Sequence, residues 1–215
     1  EGEELFANAS LLGDADGLGS LSYRWERSAD GQSWSEISDS DAPSYTLKQL
    51  DVGHLLRVEA SYVDLHGTSE SVISSSTSLI TNVNDGPEGS VVVTGTAVED
   101  GTLSADVSGI SDGDGLDGVF SYQWQRSSDG SSWNTISFST SSSYVLGDGD
   151  VGQEVQVQVA YTDLQGTREY VSSAASSAVA NVNDAPTGVF FGKKISISPV
   201  SLLISAFQPL LVPLT

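Results

Sequence analysis

An internal repeat constrains this chain more than any other feature of its sequence. Residues 23–34 read Tyr-Arg-Trp-Glu-Arg-Ser-Ala-Asp-Gly-Gln-Ser-Trp, and residues 122–133 repeat this pattern 99 positions later. The same offset relates three further pairs of segments, which are 51–53 with 150–152, 62–68 with 161–167, and 82–87 with 181–186. A fixed period of this kind indicates copies of one structural unit. We therefore predict two repeats, residues 1–87 and 88–186, followed by a tail at 187–215.

The two copies differ at their beginnings. Leu5 and Ala7 match Leu103 and Ala105, but the first copy has no counterpart of residues 91–95 in this sequence. We expect repeat 1 to lack its first strand and the sequence to be a piece of a longer array, because repeat arrays normally keep their units whole. We expect a third copy to begin at residues 189–191, after which the pattern is lost.

Apolar and polar residues alternate along the longest predicted strand of each copy. The apolar positions are Leu56, Val58, Ala60 and Tyr62 in the first copy, and Val155, Val157, Val159 and Tyr161 in the second. A period of two is typical of a half-buried strand. Asp-Gly dipeptides at 30–31 and 129–130 indicate hairpin turns, and no segment keeps a helical apolar stripe. The pattern predicts an all-β fold of two tandem β-sandwich domains.

The charge of the chain limits its partners. Asp and Glu number 29 against 8 Lys and Arg, for a formal net charge of −21. Such a chain repels phosphate backbones and anionic lipid, so nucleic acids and acidic membranes are not expected as partners. Divalent cations are better candidates, because hard cations bind oxygen ligands. The absence of cysteine excludes disulfides, thiolate metal sites and a cysteine nucleophile.

The repeat unit resembles known families at several motifs. Trp25 and Trp124 lie at a third-strand position and Asp-Val-Gly precedes a long alternating strand, as in the immunoglobulin fold without its disulfide. The whole unit resembles the tandem Ig-like repeats of large bacterial surface adhesins of the RTX and biofilm type. The linker Asn-Val-Asn-Asp-x-Pro is similar to the calcium-binding linker of cadherins, except that Asn82 and Asn181 stand where cadherins have Asp. The resemblance implies two tandem Ig-like domains, an extracellular location and calcium between domains.

In an Ig-type sandwich, three acidic clusters would meet at the end of repeat 2 where the linker enters. The candidate calcium ligands are Asn84, Asp85, Asp112, Asp114 and Asp163. Carboxylate and amide oxygens from three loops can supply the shell that Ca²⁺ requires. The alternative is that these residues only form turns, because Asp-Gly and Asn-Asp are common turn formers. Asp14, Asp16 and Asp64 would form only a partial site in repeat 1, so we expect one complete site.

Catalysis has little support in the sequence. His54 and His66 occur only in repeat 1, where repeat 2 has Gln153 and Gln165, so they belong to no machinery that the repeats share. No nucleophile elbow, zinc-protease helix or phosphate-binding loop is present, and we do not expect an enzyme. Trp25 and Trp124 are predicted to be core residues. Trp34 and Trp133 either cover a sheet edge or form an exposed aromatic surface.

The tail combines two signals. Residues 195–215 carry no charge and are long enough to span a bilayer, but their prolines and serines argue against a continuous membrane helix. Our hypothesis is that part of the tail adds to an exposed sheet edge and replaces the strand missing from a first copy, in its own or another molecule. A disordered tail is the alternative.

These observations favour structural extender repeats of a secreted or cell-surface bacterial adhesin. Neighbouring repeats are the expected partners, and interdomain calcium would stiffen the array. The rival interpretation is a glycan-binding or protein-binding Ig-like module of a secreted protein. A weaker third one is a module that accompanies a secreted carbohydrate-active enzyme. The sequence does not identify the target surface.

Overall fold

The computed structural model describes residues 1–187, and these form β-strands and loops. The predicted strand addition by the tail and the start of a third copy at 189–191 lie outside the described residues. Residues Glu1–Val182 form one compact unit, and Asn183 lies outside it. The described residues contain no α-helix, and so no helix there is long and apolar enough to cross a membrane. The predicted all-β class is thereby confirmed.

Repeat 1 contains six strands in two antiparallel sheets. The strands are β1 (Glu4–Phe6), β2 (Ser22–Ser28), β3 (Ser35–Glu36), β4 (Ser44–Thr46), β5 (Leu55–Val63) and β6 (Ser69–Ile73). The larger sheet has the order β3-β2-β5-β6, and β1 pairs with β4 in a sheet of two strands. In the register of the larger sheet, Trp25 lies opposite Val58.

Repeat 2 contains the same six strands and one more. The strands are β7 (Val92–Thr94), β8 (Thr102–Asp106), β9 (Ser121–Ser127), β10 (Asn134–Thr135), β11 (Ser143–Val145), β12 (Glu154–Thr162) and β13 (Arg168–Ser172). The larger sheet has the order β10-β9-β12-β13, and the smaller one is β11-β8-β7. β7 therefore adds a third strand to the small sheet, and repeat 1 has no counterpart of it among the described residues.

Each repeat encloses its own hydrophobic core, to which both of its sheets contribute. In repeat 2 the core includes Leu103 of β8, Trp124 of β9, and Val155, Val157 and Val159 of β12. In repeat 1 it includes Trp25, Tyr45, Leu56 and Val58. The alternation of β5 and β12 places Leu56, Val58, Val155, Val157 and Val159 inward. Full burial of such a side chain contributes roughly 1.5–3 kcal/mol to stability. This packing gives each repeat a sandwich-like character.

The Asp-Val-Gly motif anchors a buried polar network in both repeats. In repeat 2, the fully buried Asp150 accepts hydrogen bonds from the Tyr144 hydroxyl at 2.6 Å and the Gly147 N–H at 3.0 Å. It also pairs with the Arg126 guanidinium at 3.0 Å. Since a buried carboxylate is stable only with such partners, Asp150 ties β9 and β11 to the short 3₁₀ turn at Asp148–Asp150.

Repeat 1 reproduces this network. Asp51 accepts hydrogen bonds from the Tyr45 hydroxyl and the Lys48 N–H, both at 2.9 Å, and pairs with Arg27 at 3.3 Å. Burial, followed by the hydrogen bond to Asp51, raises the pKa of Tyr45 to about 12. The hydroxyl therefore stays protonated and continues to donate at any ordinary pH.

Candidate metal centre

The linker between the repeats meets an acidic turn of repeat 2. The backbone N–H of Asp85 donates to Asp114 Oδ2 at 2.8 Å, and Glu88 and Ser111 exchange backbone hydrogen bonds of 2.7 and 3.0 Å. The turn itself is held by Asp112, whose Oδ1 accepts from the Asp114 N–H at 2.9 Å. This Asp-Gly-Asp-Gly segment thus presents two carboxylates to the linker that precedes it.

Close packing holds the Asp85 side chain against this turn. A Cβ atom added to Gly113 would lie 2.3 Å from Asp85 Oδ2, so a larger residue at this position would displace the Asp85 side chain. A cavity of about 380 Å³ opens here, and Asp85, Gly86, Glu88, Ser111, Asp112 and Gly113 line it. The cavity is large enough for a hydrated cation, and three of its lining side chains are acidic.

A second acidic turn lies beside the first. Asp163 Oδ1 accepts hydrogen bonds from the backbone N–H groups of Gln165 and Thr167, each at 2.8 Å. The Leu164 N–H donates to the Asp114 carbonyl at 3.3 Å, and Leu116 forms a β-bridge with Asp163. These contacts bring the turns of Asp114 and Asp163 together, as the sequence predicts for the two loops.

The hydroxyl of Tyr161 is hydrogen-bonded to the first of these acidic turns. It donates to Asp112 Oδ2 at 2.5 Å. Burial first, and then the hydrogen bond to Asp112 and the charges of Glu169 and Asp163, raise the pKa of Tyr161 well above its usual value. A deprotonated tyrosine would add another negative charge to this group, so the phenol stays neutral.

Two oxygens of these turns are buried without a hydrogen-bond partner. They are Asp114 Oδ1 and Asp163 Oδ2, and both residues are only 3% exposed. A buried carboxylate oxygen without a donor loses its hydration and gains no hydrogen bond, which raises the free energy of the folded state. A hydrogen-bond donor or a cation would offset this cost, and no described residue donates to either oxygen.

Two more unpartnered oxygens lie on the repeat 1 side of the linker. Within residues 1–187, the other buried side-chain atoms without a partner are Glu1 Oε2 and Gln49 Oε1. Gln49 donates through Nε2 to Asn82 Oδ1 at 3.4 Å, and the Glu1 ammonium donates to the Thr81 carbonyl at 3.1 Å. Gln49 therefore contacts the first residue of the linker and Glu1 the residue before it, and neither was predicted from the sequence.

The predicted ligands are not all arranged alike. Asp85, Asp112, Asp114 and Asp163 are connected by the contacts above. Asn84 is exposed, and its Nδ2 donates to Glu169 Oε1 at 2.8 Å and to the Asp85 carbonyl at 3.2 Å. The Asn84 side chain thus joins the linker to β13, and only its Oδ1 remains available as a ligand.

The corresponding residues of repeat 1 form a similar turn. Asp14 Oδ1 accepts from the Asp16 N–H at 2.7 Å, and the Tyr62 hydroxyl lies 2.8 Å from Asp14 Oδ2 and 3.0 Å from Glu70 Oε2. The Asp16 backbone N–H, followed by the Tyr62 hydroxyl, lowers the pKa of Asp14. Asp64 repeats the turn of Asp163, with hydrogen bonds from His66 and Thr68.

A further acidic pair lies elsewhere in repeat 2. It consists of Glu99 and Asp148, whose carboxylate oxygens lie within 4.8 Å of each other. Glu99 is 3% exposed and also accepts a hydrogen bond from the Val182 N–H at 2.9 Å. Sequence reasoning missed Glu99 and Asp148. The repeat alignment could have indicated Glu99, because it matches Glu1 and both lie three positions before the first strand that the repeats share.

The histidines and the outer tryptophans lie outside these clusters. His54 Nδ1 contacts the Val52 carbonyl at 3.0 Å, and His66 Nδ1 lies 3.6 Å from Asp16 in an exposed pair. Trp34 is half-buried, with the Arg57 guanidinium 4.1 Å above its ring, and Trp133 is also half-buried. The contact with Arg57 places Trp34 over β5.

Comparison with known proteins adds no assignment. No protein-family model matches the chain, and no curated protein matches it.

Proposed function

We propose that this chain is a pair of Ig-like structural repeats from an extracellular adhesin, and that calcium bound around the linker stiffens the joint between them. The observation that carries the proposal is the pair of buried, unpartnered oxygens on Asp114 and Asp163. Both belong to turns that contact each other, and one of the turns accepts the Asp85 N–H of the linker.

The chemistry of the donors favours a hard divalent cation. Every predicted ligand offers oxygen, and the chain has no cysteine to supply sulfur. Calcium takes six to eight oxygens at roughly 2.3–2.6 Å in flexible geometry, which suits carboxylates from three loops. Glu1 Oε2 and Gln49 Oε1 extend the set to repeat 1. An ion bound by both groups would cross-link the repeats through the linker.

The mechanical role follows from the position of the ion. Without a cation, repulsion among Asp85, Asp112, Asp114 and Asp163 opposes a close joint, and the net charge of −21 adds to it. Calcium would neutralise this group and restrict rotation at residues 82–87. The spacing between the ends of the array would then depend on the calcium concentration outside the cell.

Calorimetric titration of the full chain with CaCl₂ tests the metal site. We expect saturable binding that is lost or weakened at least tenfold in Asp163→Asn. This variant keeps an oxygen to accept the Gln165 and Thr167 N–H groups, so the turn stays folded. Asp64→Asn is the matched control, because it alters the same turn in repeat 1 and should bind calcium like the parent. An absence of binding at millimolar calcium, or equal loss in both variants, would refute the site.

Small-angle scattering with calcium and with chelator tests the mechanical role. We expect chelation to broaden the distribution of distances between the repeats in the parent and to leave Asp163→Asn unchanged. Binding without any change in scattering would reject the stiffening role while keeping the metal site. Saturable binding of a sugar in a glycan-array screen would instead favour a recognition module.

A further inference from the structure

The two repeats differ on the outer face of the larger sheet, which is the side that faces away from the core. In repeat 1 this face carries charged side chains, which are Arg24, Glu26, Glu36, Arg57 and Glu59. The residues 99 positions later in repeat 2 are uncharged, and they are Gln123, Gln125, Thr135, Gln156 and Gln158. We call the four glutamines the amide face.

The charges on the outer face of repeat 1 pair with each other. Arg57 Nε lies 2.7 Å from Glu26 Oε2, and Arg24 pairs with Glu26 at 3.3 Å and also with Glu59. The Arg57 guanidinium in addition lies 4.1 Å from the centroid of the Trp34 ring. A partner that covered this face would have to desolvate these ion pairs, which costs free energy. The outer face of repeat 1 is therefore poorly suited to binding.

The amide face of repeat 2 still has hydrogen-bonding groups to offer. A primary amide has two N–H donors and one carbonyl acceptor. Gln156 Nε2 donates to Gln125 Oε1 at 2.8 Å, so this pair retains the donors of Gln125 and the acceptor of Gln156. Neutral amides cost less to desolvate than charged groups. The face therefore suits a ligand that is polar and uncharged.

An exposed phenylalanine lies at one edge of the amide face. Phe138 belongs to the loop after β10, in which the Ile136 carbonyl accepts a hydrogen bond from Gln123 Nε2 at 2.8 Å. The Phe138 side chain is 99% exposed and its φ is 61°, and Asp39 has a φ of 57° at the matching position of repeat 1. A positive φ is several-fold more common for Asp than for a bulky residue. Since neither burial nor backbone conformation favours phenylalanine here, the position indicates a functional role.

A tyrosine lies at the opposite edge of the same sheet. Tyr170 of β13 pairs with Ala160 of β12 and is 54% exposed, and repeat 1 has Ser71 at this position. Arg168 donates through Nε to the Tyr170 hydroxyl at 3.1 Å and through a second nitrogen to Ser121 Oγ at 3.3 Å. These contacts hold the tyrosine in place, so binding against its ring costs little conformational entropy. Phe138 and Tyr170 thus flank the amide face.

The charge of the chain favours an uncharged ligand on this face. A net charge of −21 repels polyanions and also a second copy of the chain. The cross-strand rows through Gln123 and Gln125 contain no charged side chain that would attract an ion. Amide groups pair with the hydroxyls of a sugar, and an aromatic ring offers an apolar surface to its C–H groups. A neutral carbohydrate matches all of these features.

We propose that the amide face of repeat 2, together with Phe138 and Tyr170, binds an uncharged polysaccharide. The glutamines hydrogen-bond sugar hydroxyls, and the two rings pack against sugar rings at either edge. Neighbouring strands lie roughly 4.8 Å apart, so β10 and β13 are separated by about 14 Å and only several linked sugar units reach both edges. Repeat 2 thereby gains a recognition role in addition to the structural role of the joint, and this role requires no calcium.

Binding of the full chain in EGTA to immobilised polysaccharides tests the proposal. The panel contains neutral glucans, mannans, galactans and xylans, and polyuronates as anionic examples. We expect the parent to bind at least one neutral polysaccharide saturably and Phe138→Asp to bind it at least tenfold more weakly. Because Asp39 shows that Asp adopts this backbone, the melting temperature of Phe138→Asp should equal or exceed that of the parent.

Val145→Thr is the matched control for this variant. It also replaces an exposed apolar residue of repeat 2 by the residue of repeat 1, but it lies on β11 of the smaller sheet. It should bind like the parent. Loss of binding in Val145→Thr equal to that in Phe138→Asp would show that any exposed apolar residue contributes, and it would overturn the proposed site.

A fourfold variant tests the amide face itself. Gln123→Arg, Gln125→Glu, Gln156→Arg and Gln158→Glu together restore the ion pairs of repeat 1, where the same sheet accommodates them. We expect this variant to fold and to lose polysaccharide binding, while calcium binding, measured separately, persists. If it does not fold, Phe138→Asp decides the outcome alone. Absence of binding to every neutral polysaccharide, stronger binding to polyuronates, or equal binding by the parent and Phe138→Asp would overturn the proposal.

Sedimentation velocity of the parent and Phe138→Asp tests the alternative occupant, a second copy of the chain. We expect the two proteins to sediment alike at every concentration, because the face binds sugar rather than protein. Self-association of the parent that Phe138→Asp abolishes would assign the face to a second copy and would overturn the carbohydrate proposal.

Discussion

Repeat 1 and repeat 2 share their motifs but not the depth of their cores. Val157 and Tyr161 of β12 are 0% and 1% exposed, whereas Val58 and Tyr62 of β5 are both 8% exposed. The larger sheets have the same strand order, so the difference originates in the smaller sheet. There β7 covers the core of repeat 2, whereas the described residues of repeat 1 place only β1 and β4 in the small sheet. One strand of three residues thus changes burial on the opposite sheet, because both sheets pack against one core.

The polar network around the Asp-Val-Gly motif does not follow this difference. Asp51 and Asp150 have the same kinds of partners, and both are fully buried. Each network joins the short 3₁₀ turn that contains the aspartate to the strand that contains the core tryptophan, which is β2 in repeat 1 and β9 in repeat 2. Tyr144 of this network lies in β11, at the edge of the small sheet opposite β7, so the network does not involve β7. The comparison therefore separates features that depend on β7 from features that do not.

The largest effect should come from the buried aspartates. Asp150→Ala leaves the Arg126 guanidinium and the Tyr144 hydroxyl without their acceptor, and we expect a loss of about 3 kcal/mol in the free energy of unfolding. Asp51→Ala should cost the same within error, because its network is equivalent. Hydrogen exchange by mass spectrometry, read separately from peptides of each repeat, measures both. The exposed Asp41→Ala serves as control and should change little. A much smaller cost in repeat 1 would show that this network also depends on β7.

Substitution of two matched leucines should lower the free energy of unfolding by amounts that differ between the repeats. Leu103 is 1% exposed under the three-stranded sheet, and Leu103→Ala should cost about 3 kcal/mol through lost burial and the cavity left behind. Leu5 of β1 is the counterpart of Leu103 and is half-exposed, so Leu5→Ala should cost about 1 kcal/mol. The same exchange experiment at low protein concentration compares them. Equal costs would contradict the conclusion that β7 deepens the core.

The smallest effect concerns the Asp-Gly turns, where the repeats should agree. Backbone N–H groups, first of Ser132 and then of Ser131, lower the pKa of Asp129, and those of Ser33 and Gln32 lower that of Asp30. A lowered folded-state pKa stabilises the protein above the unfolded value of about 3.9 and ceases to do so as the pH falls through the folded value. The melting temperature of Asp129→Asn should therefore lie below that of the parent at pH 7 and approach it below pH 4. Asp30→Asn should behave alike, and a difference that persists at low pH would exclude this origin.

The sequence predicts those parts of the fold that depend on local pattern. The alternation along β5 and β12 identifies their buried side chains, including Val58 and Val157, because side chains of a strand point to opposite faces in turn. The Asp-Gly pairs predict the turns after β2 and β9. The interpretation of Trp25 and Trp124 as core residues is confirmed by their burial. In the candidate site, the contacts among Asp85, Asp112, Asp114 and Asp163 follow the expected convergence of loops.

Other parts of the site could not be predicted because they depend on contacts between distant segments. Glu1 and Gln49 are 48 positions apart and match no metal motif, yet each has a buried unpartnered oxygen next to the linker. Asn84 was predicted as a ligand from its position beside Asp85, but its amide nitrogen is directed to Glu169 of β13. Side-chain direction in a linker depends on the neighbouring strand, which the spacing of residues does not encode.

The sequence by itself determined that the chain contains two copies of one β-rich unit, since a repeat and a period of two are visible residue by residue. Only the tertiary structure decided how deeply each core is buried, because burial depends on how two sheets close around it. The same holds for the acidic turns, whose oxygens lose their hydration only when folding buries them together.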